Sequence, residues 1–492
     1  MSLGNLDSLR YVVPEGLLIA AVLVVFLADL LVRNKQRLGE IALIGTAVSL
    51  LAVALVAREP GTWLFERMIV HDPFGVFFKM IFGLSALAAV WMSLGSNEIT
   101  GTNQGEYYGL LLSSTVGMYF MATACNLLMA YLALEFVSLT AYALTGYLRH
   151  DRRSGEAALK YLIFGGVASG TMIYGMSWIF GLAGSMDFAQ INAALRTSGG
   201  AQLALFIAVV LTLAGFGYKI AAAPFHMWVP DVYTGAPIPI AAFLSVGSKA
   251  AGFALLMRFF YPTLSQAGAD GVWQFLPGID WPQLVLVLSM VTMTLGNLTA
   301  LWQQNVKRLL AYSSIAHAGY MLMGFVVLSD EGLRAVLFYM VAYYLMNIGA
   351  FLVVMIVANS SGRDDLAGFR GLAWRGGAVP AVAMAIFLFS LTGLPPFGGF
   401  IGKFYLFAAV IRQHLYGLAL VGVLNSVISL YYYARVVRTM FLDFPTGDEG
   451  AVTVGWHNGS LMVALGAGTV CLGLYWAPVI ALADRSIHFF TG

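Results

Sequence analysis

The chain has 492 residues, of which 60% are hydrophobic and only 10% charged, with a formal net charge of +2. Soluble domains carry about 25% charged residues, so this composition excludes a globular enzyme and leaves an all-α polytopic membrane protein. No basic run points to nucleic acid. The two cysteines, Cys125 and Cys471, lie outside any CxxC or Cys/His spacing. They read as small core residues inside apolar helices, and no bound metal is expected.

Apolar windows of about 20 residues, the length that crosses a bilayer as a helix, recur along the chain and predict about 14 transmembrane helices. The first, 14–32, follows Pro14-Glu15 and runs into Asp29 and Arg33. It lacks a basic leader and a small-residue cleavage site, so it reads as retained helix. With 39–57 and 74–95 it forms an N-terminal group, residues 1–106. Five windows follow within 107–260: 107–125, 127–148, 156–181, 202–223 and 238–260. The fourth of these carries Lys219, breaks at Ala223-Pro224-Phe225-His226, and continues briefly to about 233. Five more lie within 283–440: 283–302, 307–328, 332–357, 378–412 and 416–440. The stretch 378–412 is too long for one plain span, and Gly393-Leu394-Pro395-Pro396-Phe397-Gly398-Gly399 interrupts it. A last window, 459–481, falls in the C-terminal segment 441–492.

An interior proline removes a backbone hydrogen bond and crowds the preceding turn, at a cost of about 3 kcal/mol. In lipid such a break survives only when buried in protein or lining a watery cavity. Two interrupted spans, near 219–226 and 393–403, stand five helices apart. They predict two five-helix repeats, and an odd number of spans per repeat inverts one relative to the other. Corresponding broken helices are the sequence sign of a transporter site.

Basic residues in the loops set the orientation. Alternate loops holding Arg33, Lys35, Arg37, Arg149, Arg152, Arg153, Lys307 and Arg308 are richer in charge than the opposite set. That face reads as cytoplasmic, which puts both termini on the periplasmic side. Five lysines fall within the spans instead: Lys79, Lys160, Lys219, Lys249 and Lys403. A central lysine costs roughly 2.5–3.5 kcal/mol in a membrane helix. Lysine can surrender its proton when desolvated whereas arginine stays charged, so this choice suits groups that gain and lose protons. Lys249 is near the middle of its span. Lys403 follows a break, and Lys160, one turn inside its helix, could equally snorkel. Lys79 is nearest a helix end and carries no assignment.

Glu135, in Tyr131-Leu132-Ala133-Leu134-Glu135-Phe136-Val137-Ser138, is the acid nearest the middle of a span. A buried acid can be satisfied by backbone or serine; the functional reading pairs it with Lys219, so that their separation sets how tightly the lysine holds its proton. His226 and His317 lie among the central helices as relay candidates, since imidazole both accepts and donates near neutral pH. Either can also be a satisfied core residue. Ser248, Ser313, Ser314, Thr392 and several tyrosines could hold water between them. The stretch Gly398 to Phe404 superficially evokes a phosphate loop, but its spacing is wrong and Phe404 stands where Ser/Thr would bind magnesium.

Glu135, Lys219 with Ala221-Ala222-Ala223-Pro224-Phe225-His226-Met227-Trp228-Val229-Pro230-Asp231, Lys249, and Leu394-Pro395-Pro396-Phe397-Gly398-Gly399 through Lys403 resemble the antiporter-like subunits of respiratory complex I. That family is related to the subunits of Mrp-type sodium/proton antiporters. Within it, Lys403 and the short C-terminal segment are similar to the subunit N branch, as are Val13-Pro14-Glu15-Gly16 and Gly155 to Gly166. The resemblance implies a coupling pair, Glu135 and Lys219, followed by a midplane proton path through Lys249 and the histidines to Lys403. Lys160 is a less certain member of the relay. It also implies that FMN, iron–sulfur clusters, NADH and quinone belong to other subunits, and that the partners are other membrane-arm subunits and lipid in a hetero-oligomer. The expected setting is a bacterial inner membrane rather than a mitochondrial one. The activity implied is proton translocation driven by NADH:quinone electron transfer elsewhere in the assembly. A cation/proton antiporter subunit is the second reading, and a purely structural subunit the third.

Overall fold

A computed structural model of the chain describes residues 4–101, 103–197, 202–268, 271–277, 280–445, 450–487 and 489. The long helices are α1 (Val13–Leu31), α2 (Gln36–Val56), α3 (Pro73–Leu94), α4 (Gln104–Thr123), α5 (Leu127–Thr145) and α6 (Arg152–Ala183). Next come α7 (Gln202–Ile220), the short α8 (Val229–Gly235), and α9 (Ile238–Leu264), which widens into a π turn at Leu244–Ser248. They are followed by α10 (Trp281–Ala300), α11 (Val306–Phe325), α12 (Asp330–Ser361), α13 (Ala378–Thr392), α14 (Gly398–Arg412), α15 (Tyr416–Phe441) and α16 (Trp456–Leu474). The only paired strands among the described residues are two short hairpins, Thr62–Leu64 with Ile69–His71 and Ser265–Ala267 with Trp273–Phe275.

Eleven helices are long and apolar enough to cross a bilayer, or twelve if Leu366–Trp374 and Ala378–Thr392, bent by 118°, form one span. Two other long helices, α4 and α11, are more polar. The reason is their place: nearly every residue of both is buried among other helices, so neither has to offer lipid an apolar face. The outer helices α1 and α2 are the reverse, exposing Leu23, Leu27, Leu30, Ile44, Leu51 and Leu55.

Local chemistry sets where the helices begin and end. Asp72 accepts from Gly75 N at 2.8 Å and Pro73 occupies the first turn of α3, which satisfies an orphan N–H where one donor is already missing. Asn126 caps α5 and Asn305 caps α11, accepting from Leu128 N at 2.8 Å and Arg308 N at 2.9 Å. Helices α6 and α12 are both 32 residues long, and each ends at a left-handed glycine, Gly184 and Gly362, with φ of 67°. Glycine alone enters that region without a Cβ penalty.

Two sequence expectations need correction. Cys125 is buried in the turn between α4 and α5 rather than inside a helix, and Cys471, though helical, is exposed. The expected last window, 459–481, is cut at Tyr475-Trp476, where α16 ends and a short helix, Ala477–Ser486, begins. Trp476-Ala477-Pro478 explains the stop, because proline is tolerated in a first helical turn but not in an interior.

Candidate functional site: a buried row of lysines

The two breaks have a common construction. After α7, Ala221 takes the left-handed conformation (φ 64°), its N–H donates to Tyr218 O at 3.1 Å, and Ala222 N donates to Gly217 O at 2.8 Å. After α13, Gly393 takes the same conformation (φ 90°), its N–H donates to Phe389 O at 3.1 Å, and Leu394 N donates to Phe389 O at 3.0 Å. A cis peptide bond precedes Pro224 in the first break and Pro396 in the second. The freed backbone groups find side-chain partners: Trp228 Nε1 donates to Tyr218 O at 3.2 Å, and Ala223 N to Thr292 Oγ1 at 3.0 Å. In the second break Gly399 N donates to Ser390 Oγ at 3.1 Å. These backbone groups are thus satisfied within the protein, although Pro224, Pro395 and Pro396 themselves are exposed.

Lys219 lies in the last turn of α7 and is buried. Its ammonium donates to Ser138 Oγ at 3.2 Å. Glu135, one turn earlier on the same face of α5, acts on Lys219 through its charge, yet no direct ion pair forms and Glu135 Oε1 has no hydrogen-bond partner. The expected direct pairing is thus not formed, and Lys219 meets Ser138 Oγ instead. The three-residue spacing of Glu135 and Ser138 on one helix face was the signal that could have found this serine. Glycine at 252 lets α9 approach: a Cβ there would lie 3.1 Å from Lys219 Cγ and 2.9 Å from Ile220 Cγ2.

Lys249 follows the π turn of α9, a local irregularity common at functional sites. Its ammonium donates to both the carbonyl and the hydroxyl of Ser314 on α11. Tyr343 OH of α12 donates to the same hydroxyl at 2.9 Å. His317, one turn beyond Ser314, bonds Tyr339 OH through Nδ1 at 2.6 Å and Tyr433 OH through Nε2 at 3.3 Å. Tyr433 in turn meets Ser313 Oγ at 2.5 Å. The charges of Lys403 and Lys249 both reach the imidazole.

Lys403, on the second turn of α14, reaches back across the break and donates to Thr392 O at 2.8 Å, the end of α13. A cation at a helix C-terminus is favoured by the free carbonyls. Its ammonium also donates to Ser426 Oγ at 3.1 Å and sits 4.4 Å from the Tyr320 ring centroid, a cation–π geometry. Tyr320 OH closes the loop on Ser426 at 3.1 Å. These bonds form three adjoining groups around Lys249, His317 and Lys403, with the His317 ring centroid 5.1 Å from that of Tyr343 and 5.9 Å from that of Tyr320. Tyr320, Tyr339, Tyr343, Tyr433 and Ser426 were not singled out by number from sequence, because nothing in a lone tyrosine distinguishes a relay hydroxyl from packing.

The other candidates are placed differently. His226 is buried beside the first break, and its Nδ1 has no hydrogen-bond partner. Lys160 sits in an ion-pair cluster: it contacts Glu156 at 2.6 Å and Asp231 at 2.8 Å, and Asp231 also binds Arg308 at 2.8 Å. No hydrogen bond among the described residues joins Lys160 to the buried row. No group of three His, Cys, Asp or Glu among the described residues could hold a metal ion.

A family profile described as NADH:quinone oxidoreductase/Mrp antiporter, transmembrane, matches residues 124–429, a span that contains both breaks and the row. The chain is 45% identical to NADH-quinone oxidoreductase subunit N of Anaeromyxobacter sp. (strain Fw109-5), over 99% of this chain and 98% of that protein. The chain belongs to the subunit N family of NADH-quinone oxidoreductases. Among solved structures it is similar to a chain of respiratory complex I from Thermus thermophilus with bound aureothin, at 30% identity and a TM-score of 0.79, covering 96% of this chain and 99% of that one. A chain of the Mrp complex from Dietzia sp. DQ12-45-1b shares the fold, with a TM-score of 0.83, 21% identity, and coverage of 98% and 97%.

Proposed function

We propose that this member of the subunit N family translocates protons along the row Glu135–Lys219–Lys249–His317–Lys403, as a membrane-arm subunit of NADH:quinone oxidoreductase. The observation that carries the reading is the adjacency of three polar groups, Lys249 with Ser314 and Tyr343, His317 with Tyr339 and Tyr433, and Lys403 with Ser426 and Tyr320, the His317 ring lying 5.1 Å from that of Tyr343 and 5.9 Å from that of Tyr320. Buried ammonium groups joined by groups that both accept and donate can pass a proton, while fully apolar surroundings cannot. Electron transfer from NADH to quinone, with FMN and the iron–sulfur clusters, is assigned to other subunits. A cation/proton antiporter shares the fold, but the 45% identity lies with subunit N.

The wider architecture fits fourteen spans and two inverted repeats, 107–260 and 283–440, flanked by 1–106 and 441–492. Supporting this, each repeat has an asparagine-capped helix, then a 32-residue helix ended by a left-handed glycine, then a broken helix. Isolated bridges Asn126 with Asp187 and Asn305 with Asp365 recur at matching places. Five spans per repeat invert the second relative to the first, and the basic loops read as cytoplasmic in a bacterial inner membrane, with both termini periplasmic.

The test is proton pumping and quinone reductase activity in membranes carrying Lys219→Ala or Lys403→Arg, with assembly of the complex verified. Both variants should lose pumping and redox turnover together, the arginine because it cannot release its proton. Normal pumping in both would remove this chain from the proton route. Co-purification with small antiporter subunits instead of redox subunits would favour the antiporter reading.

A further inference from the structure

Outside the row, the N-terminal helices hold a second buried ion pair. Glu15, in the first turn of α1, and Lys79, on the second turn of α3, meet at 2.6 Å, with their side chains 2% and 6% exposed. Glu15 Oε1 takes the Lys79 contact, and Oε2 has no hydrogen-bond partner. Tyr119 of α4 stands beside the pair, its ring centroid 6.0 Å from Lys79 Nζ. Its hydroxyl lies beside Ser49 of α2, whose own proton goes to Pro14 O at 2.9 Å and whose oxygen stays free to accept. A buried pair that served only to tie two helices together would have its remaining lone pairs satisfied. An orphaned carboxylate oxygen beside such a pair instead marks a place where water is held.

The orphans continue towards the row. Ser114 Oγ on α4 and Asn347 Oδ1 on α12 are buried and unpartnered, and Asn347 Nδ2 donates to Ser245 Oγ at 2.6 Å within the π turn that precedes Lys249. That turn lies against α3 and α4: a Cβ at Gly247 would be 3.3 Å from Ser85 Cβ and 3.4 Å from Met118 Sδ. On the other side the charges of Lys79 and Glu15 act on the buried His71, whose ring is 5.1 Å from Tyr11, and Tyr11 OH accepts from the exposed Arg10 at 3.0 Å. The remaining charges nearby, Asp72 and Arg258, are committed to each other at 2.7 Å.

We propose that Glu15 and Lys79 form a second proton-holding site, exchanging protons with the Lys249 end of the row past Ser85, Ser114 and Tyr119. This rests on the proton-translocation reading above. In the exchange the Lys79 ammonium gives its proton to the Glu15 carboxylate, leaving a neutral amine beside a neutral acid. Loss of the acid's proton towards His71 leaves the pair with a single negative charge, which draws the next proton from the row to the Lys79 amine. One proton enters and one leaves per cycle.

The test uses the intact complex carrying Lys79→Arg, or Glu15→Gln with Lys79→Met. Arginine keeps the ion pair and its packing but cannot release a proton; the double variant removes both charges at similar volume. A titrating site predicts that both assemble, that pumping per electron transferred falls several-fold, and that its pH profile shifts. Wild-type pumping and pH profile in Lys79→Arg would overturn the proposal and leave the pair as a staple, as would full activity in the double variant. Lys403→Arg is measured alongside: if it too pumps normally, the proton-translocation reading fails as a whole. If it alone is defective, only the second site falls.

Discussion

At the scale of single residues, position relative to a break decides what a lysine can do. Lys219 precedes its break and meets a hydroxyl of the neighbouring α5, Ser138, whereas Lys403 follows its own and turns back onto the carbonyl of Thr392. Gly393 shows how closely this is built: its φ is +90°, and a Cβ would lie 2.8 Å from Lys403 Cδ. Gly393→Ala should therefore impose about 1–2 kcal/mol of left-handed strain and displace the lysine from Thr392. Pumping should fall well below that of Gly417→Ala, where a Cβ meets nothing within 4 Å. Equal pumping by the two variants would show that the Lys403 contact is dispensable. The row lysines and the two histidines were legible in the sequence because charge in an apolar window is conspicuous. Glu15 was passed over because it stood at a window's edge, where an exposed acid at a helix start looks ordinary, and only packing against α3 buries it.

At the scale of elements, the proposed repeats, 107–260 and 283–440, carry different residues at matching distances from their helix caps. Counting from the caps, Glu135 is nine residues beyond Asn126 and Ser314 nine beyond Asn305, while Ser138 and His317 are each twelve beyond. The acid of one stretch is a serine in the other, and the serine that meets Lys219 corresponds to the histidine that bonds Tyr339 and Tyr433. From the left-handed residues, Ala221 and Gly393, ten residues lead to Asp231 in one half and Lys403 in the other. An acid tied to Lys160 and Arg308 thus occupies the place that Lys403 has in the later stretch. Sequence showed the breaks but not this register, which depends on helix starts that hydropathy windows misplace by several residues.

The loops add a pH-sensitive join. Glu98, between α3 and α4, accepts from Ile238 N at 2.7 Å at the start of α9, and burial holds its carboxyl above the ordinary carboxylate range. The fold therefore favours the protonated acid, and this contribution is lost as pH rises through the raised value. Glu98→Gln keeps an acceptor for Ile238 and should flatten the fall in thermal stability of the complex over that pH interval. An unchanged pH dependence would mean that Glu98 ionises in the fold as freely as in the unfolded chain.

At the scale of the whole molecule, the overall class followed from composition, since 10% charge leaves few alternatives. The layering did not. Hydropathy treats every span alike, yet α4 and α11 are interior helices with almost no lipid-facing residue. That distinction has a consequence for how the protein is made. A helix bearing Lys307, Arg308, Ser313, Ser314 and His317 gains little by entering hydrocarbon alone, so α11 depends on α10 and α12 to shelter it. During synthesis it should wait at the translocon until α12 emerges. Chains truncated after Phe325 should leave α11 open to protease from the aqueous side, whereas chains extended beyond Ser361 should protect it; equal protection would show that α11 enters lipid unaided. The helix that holds Ser314 and His317 beside the buried lysines is, on this account, among the last parts of its neighbourhood to leave water.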